Sequence, residues 1–247
     1  MAHYKSPGIV LRTIRLGEAD RIVSLLTPEH GKVRAVAKGV RRTKSRIGAR
    51  LEPLTAVEAM LWRGRELDVV AQVEVTESFR HLRADLDRLA DGLAMLEILD
   101  AAAVERQGAP ELFQLLSGGL TTLERAPSPV VFGAFCFRFL QIEGVGPVAD
   151  ACVVCGRHLP LVAFSYADGG FCCAEHRRGQ ACAPELAVLV SRISSGELGR
   201  VLAEGHENRA GALSSLGLGA VEHLLGRRIR AHRVGLEAAE TAPAAGR

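Results

Sequence analysis

The 247-residue chain is poor in aromatic side chains, which make up 4% of it: eight Phe, two Tyr and one Trp. Its core must therefore rest on Leu, Val, Ile and Ala. It also lacks any run approaching the roughly 20 apolar residues of a membrane span. The first residues, MAHYKSPGIVLRTIRLGEADR, carry no apolar stretch flanked as in a secretory signal. The expectation is a cytoplasmic protein that makes no membrane contact. Several catalytic motifs are missing as well. There is no G-x-x-x-x-G-K-[ST], no G-x-S-x-G and no H-E-x-x-H, and no G-x-G-x-x-G follows a strand pattern. The acids form no paired-carboxylate motif for two-metal chemistry. These absences make a non-enzyme the leading class.

One shortage is local. Between Lys32 and Arg50 there are eight Lys/Arg and no Asp or Glu. Net charge over the whole chain is only +3, yet residues 1–80 hold fifteen Lys/Arg against nine acids, a balance of +6. A solvated face usually mixes signs, because uncompensated like charges repel. Collecting cations without acids costs stability unless an anion arrives, and a polyanionic backbone is the natural candidate. Arg34, Lys38, Arg41, Arg42, Lys44, Arg46 and Arg50 are the candidate phosphate contacts. The bland alternative is a solubilising loop. The run holds no aromatic residue, and Tyr4, Trp62 and Phe79 are the ring residues around it. Binding is thus expected to be mainly electrostatic, with little base reading.

Patterning divides the chain. GIVLRTIRL (8–16), DRIVSLLT (20–27), KVRAVAK (32–38), AVEAMLW (56–62) and LDVVAQVEV (67–75) read as strands. PEHG and RGRE supply hairpin-like turns. Five strands with one long basic connection fit a small β-barrel, and an OB-fold is the expected form. After Glu77 the period changes. Leu82, Leu86, Leu89, Leu93, Leu96 and Leu99 recur at helical spacing over 79–106. Further helical patterns run from Pro110, over 130–144 (apolar almost all round), over 184–195 and over 210–233. The fold class is α+β: a barrel domain at 1–78, a helical domain at 79–236, and a loose tail at 237–247.

Five of the six cysteines fall within 148–183, a loop-rich stretch. Cys152 and Cys155 form a C-x2-C knuckle, and Cys173 with His176 completes C-x2-C-x17-C-x2-H, a zinc-ribbon spacing. A Cys3His set suits a closed, structural Zn2+ site. Cys182 is a substitute for His176 as fourth ligand, while Cys172 diverges from its neighbour Cys173. Reduced structural thiols are the competing reading. Cys136, within an apolar helix, reads as a small core residue, and His158 as an exposed loop residue.

Several of these stretches together resemble the bacterial RecO recombination mediators. They are G-E-x-D at 17–20, L-T-x-x-H-G at 26–31, A-K-G-x-R-R at 37–42, C-x-x-C-G at 152–156 and F-S-x-x-x-G-G at 164–170. The order of barrel, helices and embedded zinc loop is similar too, so the resemblance spans nearly the whole chain. It implies a role in DNA repair by the RecF-type recombination pathway, with binding and annealing of single- and double-stranded DNA. It also implies action with RecR to load recombinase on strands coated by single-stranded-DNA-binding protein (SSB). A nucleoid-associated factor, monomeric when free, is expected. The family pattern ends in a second C-x-x-C, whose last position here is His176. The rival reading is a zinc-stabilised protein–protein adaptor whose basic loop binds an acidic partner tail.

Overall fold

The computed structural model describes residues 3–40, 47–158 and 160–232. Five strands open the chain: β1 (His3–Leu16), β2 (Asp20–Thr27), β3 (Gly31–Ala37), β4 (Ala56–Trp62) and β5 (Asp68–Glu77). They close into a barrel in the order β1-β2-β3-β5-β4, antiparallel except where β3 meets β5. This is the expected OB-fold. Period-2 alternation makes its core: Val33, Ala35 and Ala37 of β3 point inward, joined by Val10, Val23, Leu25, Val57, Leu61 and Val73. β1 starts five residues before the predicted strand. Pro7 lies where β1 pairs with β4 alone, since pairing with β2 begins at Ile9, and such a position tolerates a residue without an N–H.

The helical pattern over 79–106 does not form one helix. It divides into α1 (Arg80–Ala84) and α2 (Leu86–Ala102). Asp85 between them is extended, and its carboxylate accepts from the N–H groups of Asp87 and Arg88, an N-cap that restarts the helix. α2 stops at Ala102 because the next residues run along the β2–β3 hairpin instead. Lys32 N–H donates to the Val104 carbonyl at 3.2 Å, Arg106 N–H to that of Lys32 at 3.0 Å, and Ala109 N–H to that of Pro28 at 2.9 Å. Gly31 is required there twice over. Its φ is +58°, and a Cβ would sit 1.8 Å from the Gln107 carbonyl oxygen. α3 (Pro110–Arg125) follows.

By compactness the described residues form two units: those up to Glu124 together with those from Ile229 on make one, Arg125–Arg228 the other. The first unit is larger than the barrel because α2 packs on β1 and β2. The predicted tail at 237–247 lies outside the described residues. The second unit holds α4 (Val131–Ile142), α5 (Pro184–Ser194), α6 (Leu198–Glu204) and α7 (Glu207–Leu225). α4 and α7 approach closely through glycine. A Cβ on Gly217 would lie 2.8 Å from that of Cys136, which is fully buried as expected.

The stretch 148–183 is more ordered than a loop. It forms β6 (Leu161–Ser165), β7 (Gly170–Cys173) and β8 (Gln180–Ala181), a small sheet in the order β7-β6-β8. No alternation announced these strands because both faces are covered: Ala163, Phe164, Phe171 and Cys172 are all buried. Among the described residues, no helix is long and apolar enough to cross a membrane.

Candidate metal centre and nucleic-acid interface

The second unit brings four predicted ligands together. Cys152, Cys155, Cys173 and His176 each offer one ligand atom, all within 4.8 Å of one another. Two similar turns build the group. In the first, Gly156 (φ +71°) donates its N–H to the Cys152 carbonyl at 2.8 Å, and Val153 N–H donates to Phe171 O at 2.9 Å, tying the knuckle to β7. In the second, His176 N–H donates to the Cys173 carbonyl at 3.2 Å. Cys173 Sγ and His176 Nδ1 are 3.4 Å apart. Cys152 and Cys173 are almost fully buried, Cys155 and His176 partly.

The electrostatics differ between the two buried sulfurs. Burial by itself pushes the Cys152 thiol up, but N–H groups of Cys173, Cys155 and Val154, with the Cys155 side chain, bring it down to about 6. Cys173 goes the other way. Burial raises it, and the neighbouring sulfurs of Cys152 and Cys155 add to that against the N–H groups of His176 and Glu175. Buried sulfurs that compete to ionise are relieved by a cation, and three thiolates with one imidazole are soft donors suited to zinc-class ions. Four protein ligands would complete the tetrahedral shell of a structural site. Cys182 does not join the group; its N–H donates to Val162 O at 2.9 Å in β6. Cys172 alternates to the other side of β7. His158 is exposed, with Nδ1 2.8 Å from the Asp150 carbonyl oxygen.

The cationic candidates belong to the barrel. Arg34 lies on β3 and is half-exposed, with Nη1 3.6 Å from Glu105 Oε1, so one acid from outside the basic run partly compensates it. Lys38 is exposed just beyond β3. Gly39 N–H donates to Asp20 Oδ1 at 2.7 Å, which fixes the exit of the strand. Arg41, Arg42, Lys44 and Arg46 lie outside the described residues. The flanks of that segment meet: Val40 is buried in the barrel core, and a Cβ on Gly48 would fall 2.3 Å from the Val40 carbonyl oxygen. Arg50, in a 3-10 turn at Gly48–Leu51, is exposed and donates from Nη1 to the Val73 carbonyl at 3.0 Å.

Arg50 and Ile47 border a groove of about 640 Å³ on the outer barrel face, lined also by Lys5, Met60 and Gln72. Sequence reasoning missed Lys5, because an isolated cation in a strand carries no motif. The ring residues separate clearly. Phe79 is 2% exposed and belongs to the core, whereas Trp62 is 40% exposed. Tyr4 is half-buried, with the Arg63 guanidinium 5.1 Å from its ring centre and His30 edge-on at 4.6 Å.

Comparison with known proteins agrees with both halves of this architecture. A family model described as Recombination protein O N terminal matches residues 1–79, and one described as Recombination protein O C terminal matches residues 83–231. A DNA repair protein RecO of Thermobifida fusca is 43% identical over 198 residues, covering 78% of this chain and 82% of its own. That of Rubrobacter xylanophilus is 39% identical over 238 residues, covering 94% and 91%. That of Bifidobacterium longum is 43% identical over 181 residues, covering 71% and 75%. With a closed five-stranded barrel followed along the chain by helices and a Cys3His cluster, the chain belongs to the RecO family of DNA repair proteins.

Proposed function

We propose that the protein is a non-enzymatic recombination mediator. It binds single- and double-stranded DNA, anneals complementary strands, and works with RecR to load recombinase onto SSB-coated DNA in the nucleoid. The observation that carries the reading is the acid-free cationic run between Lys32 and Arg50, whose flanks are anchored in the core of an OB barrel. Its physical work is charge neutralisation. Two DNA strands repel each other; a surface that binds both lowers that barrier, and base pairing completes the joining. Residues 1–78 are the nucleic-acid-binding domain in this reading, and the helical residues 79–236 serve protein partners.

The Cys3His cluster holds a structural Zn2+ through Cys152, Cys155, Cys173 and His176. The donor chemistry of this four-residue cluster supports that role. The ion would tie the two knuckles together; no chemistry on DNA is assigned to it.

The test is DNA affinity against salt concentration for the wild type and for Arg41→Ala/Arg42→Ala/Lys44→Ala. Each phosphate contact contributes about 0.7 (single strand) to 0.9 (duplex) to the log–log slope. Loss of three contacts therefore flattens it by roughly 2–3. An unchanged slope would remove the run from the DNA-handling surface.

A further inference from the structure

We propose that Trp62 is a stacking platform for unpaired nucleobases, on the outer barrel face where β4 turns into β5. The inference rests on the DNA-handling reading above, and it adds the form of substrate that this face selects: single strands with accessible bases.

Trp62 is the chain's single tryptophan. It ends β4 and leaves 40% of its surface in solvent, while the large aromatics Phe132, Phe137, Phe139, Phe164 and Phe171 are fully buried. A large ring kept exposed at a strand end forgoes the burial that would stabilise the fold. Its cross-strand partner is His3, edge-on with centroids 5.2 Å apart. An edge-on contact covers at most one face of the indole, so a flat ligand can take another.

The surrounding charge suits a nucleotide better than a neutral ring. Arg63 and Arg65 follow Trp62 directly and are exposed, and among the described residues neither is in an ion pair. Lys5 lies on the same outer face, one alternation beyond His3. Acids are present as well: Glu66 in the turn, and Glu58 and Glu74 in the adjoining groove. A face of mixed sign holds a phosphate backbone less firmly than the acid-free run does. It gains more from stacking, which every base can provide. Met60, two residues back on the same face of β4, lines that groove together with Arg50. The groove bordered by Arg50 thus reaches the strand face of β4 that Trp62 ends.

The platform is also preformed. Gly64 N–H donates to Asp68 Oδ1 at 3.0 Å, and Arg106 Nη2 bonds both the Gly64 carbonyl at 3.0 Å and Asp68 Oδ1 at 3.2 Å. A Cβ on Gly64 would fall 1.9 Å from the Leu67 carbonyl oxygen, so the turn is tight. A site ordered before binding loses little conformational freedom when a base arrives.

Because the protein has one tryptophan, its emission reports this site alone. The full-length protein is titrated with three probes of equal length: oligodeoxythymidylate, an abasic oligomer and a duplex. Binding is followed independently by anisotropy of a label on each probe. Oligodeoxythymidylate is expected to quench Trp62 in step with binding, and the abasic strand to bind with much less quenching. Trp62→Ala should weaken oligodeoxythymidylate about tenfold and duplex less than twofold, with Trp62→Phe close to wild type, since stacking on a protein ring is worth about that much. Binding with unchanged emission, or equal quenching by the abasic strand, overturns the platform and leaves the DNA-handling reading standing. So does an equal loss for duplex and single strand, or a Trp62→Phe variant as weak as Trp62→Ala. Failure of the wild type to bind any probe overturns both.

Discussion

The Tyr4 hydroxyl donates to the buried Asp68 carboxylate at 2.5 Å, joining the first barrel strand to the last across 64 residues of sequence. Asp68 is only 3% exposed and also receives Gly64 N–H and Arg106. Tyr4→Phe removes one donor from a buried charge, which should cost about 1.5–3 kcal/mol of stability in denaturant unfolding. The pH dependence has a definite sign. Burial first, then the Asp68 carboxylate, raises the Tyr4 phenol above its ordinary 10.0. The folded state therefore holds this proton more tightly than the unfolded chain, so the stabilisation is present below pH 10.0 and lost as pH climbs beyond it. Tyr4→Phe should show a shallower alkaline decline than wild type.

Arg83 gathers acceptors on the barrel side of α1. It donates from Nε to Ser78 O at 2.9 Å, and from Nη2 to Pro53 O at 2.5 Å, Leu54 O at 2.8 Å and Thr55 Oγ1 at 3.1 Å. These bonds hold Leu54, a residue with φ of +61°. Arg83→Met keeps the aliphatic stem but leaves the acceptors unpaired, so thermal or urea unfolding should show a loss of about 1–3 kcal/mol. Stability equal to wild type would mean that water replaces the guanidinium without penalty.

Glu204 in the second unit receives both Nη groups of Arg192, at 2.7 and 2.8 Å, and lies 2.7 Å from His206 Nε2. Arg192 chiefly, opposed by burial and helped by His206, lowers its carboxyl from 4.5 to about 2. A depressed folded value stabilises the fold above the unfolded value. That contribution is present above pH 4.5 and lost as pH falls towards about 2. Glu204→Gln should flatten acid unfolding in this window. The difference should shrink in high salt, because the group is 44% exposed.

If the Cys3His cluster holds a structural zinc ion, as proposed, its removal should destabilise the chain. Chelation, or Cys152→Ser with Cys155→Ser, frees the two knuckles from each other. Each kcal/mol lost should lower Tm by about 2–4 °C in a protein of this size. Metal content is read in parallel by elemental analysis. A metal-free protein with wild-type Tm would contradict the structural role.

The barrel was legible because its strands are rich in β-branched and aliphatic residues, β3 alternates, and the hairpin turns carry their punctuation: β2 and β4 run over 20–27 and 56–62 as the pattern indicates. Ligand spacing pointed to Cys152, Cys155 and Cys173 but left His176 and Cys182 open as the fourth; the structure groups His176 with the three sulfurs. The break at Asp85 was not legible, since leucine periodicity continues through it, and only the capping aspartate marks it. Nor were β6 and β7, whose short, doubly buried runs look the same as any apolar loop. α6, seven residues long, offered too few turns for periodicity. Trp62 was visible as a letter, but its exposure depends on which face of β4 closes the barrel. Compactness places α1–α3 with the barrel through tertiary packing that no local pattern encodes.

The most direct test of the mediator reading is annealing of complementary oligonucleotides already coated with the cognate SSB, comparing wild type with Arg41→Ala/Arg42→Ala/Lys44→Ala. The prediction is that wild type anneals the coated strands and that the variant fails, although its thermal unfolding is unchanged. Coated strands that remain separate with wild type, while the same protein binds bare DNA, would contradict it.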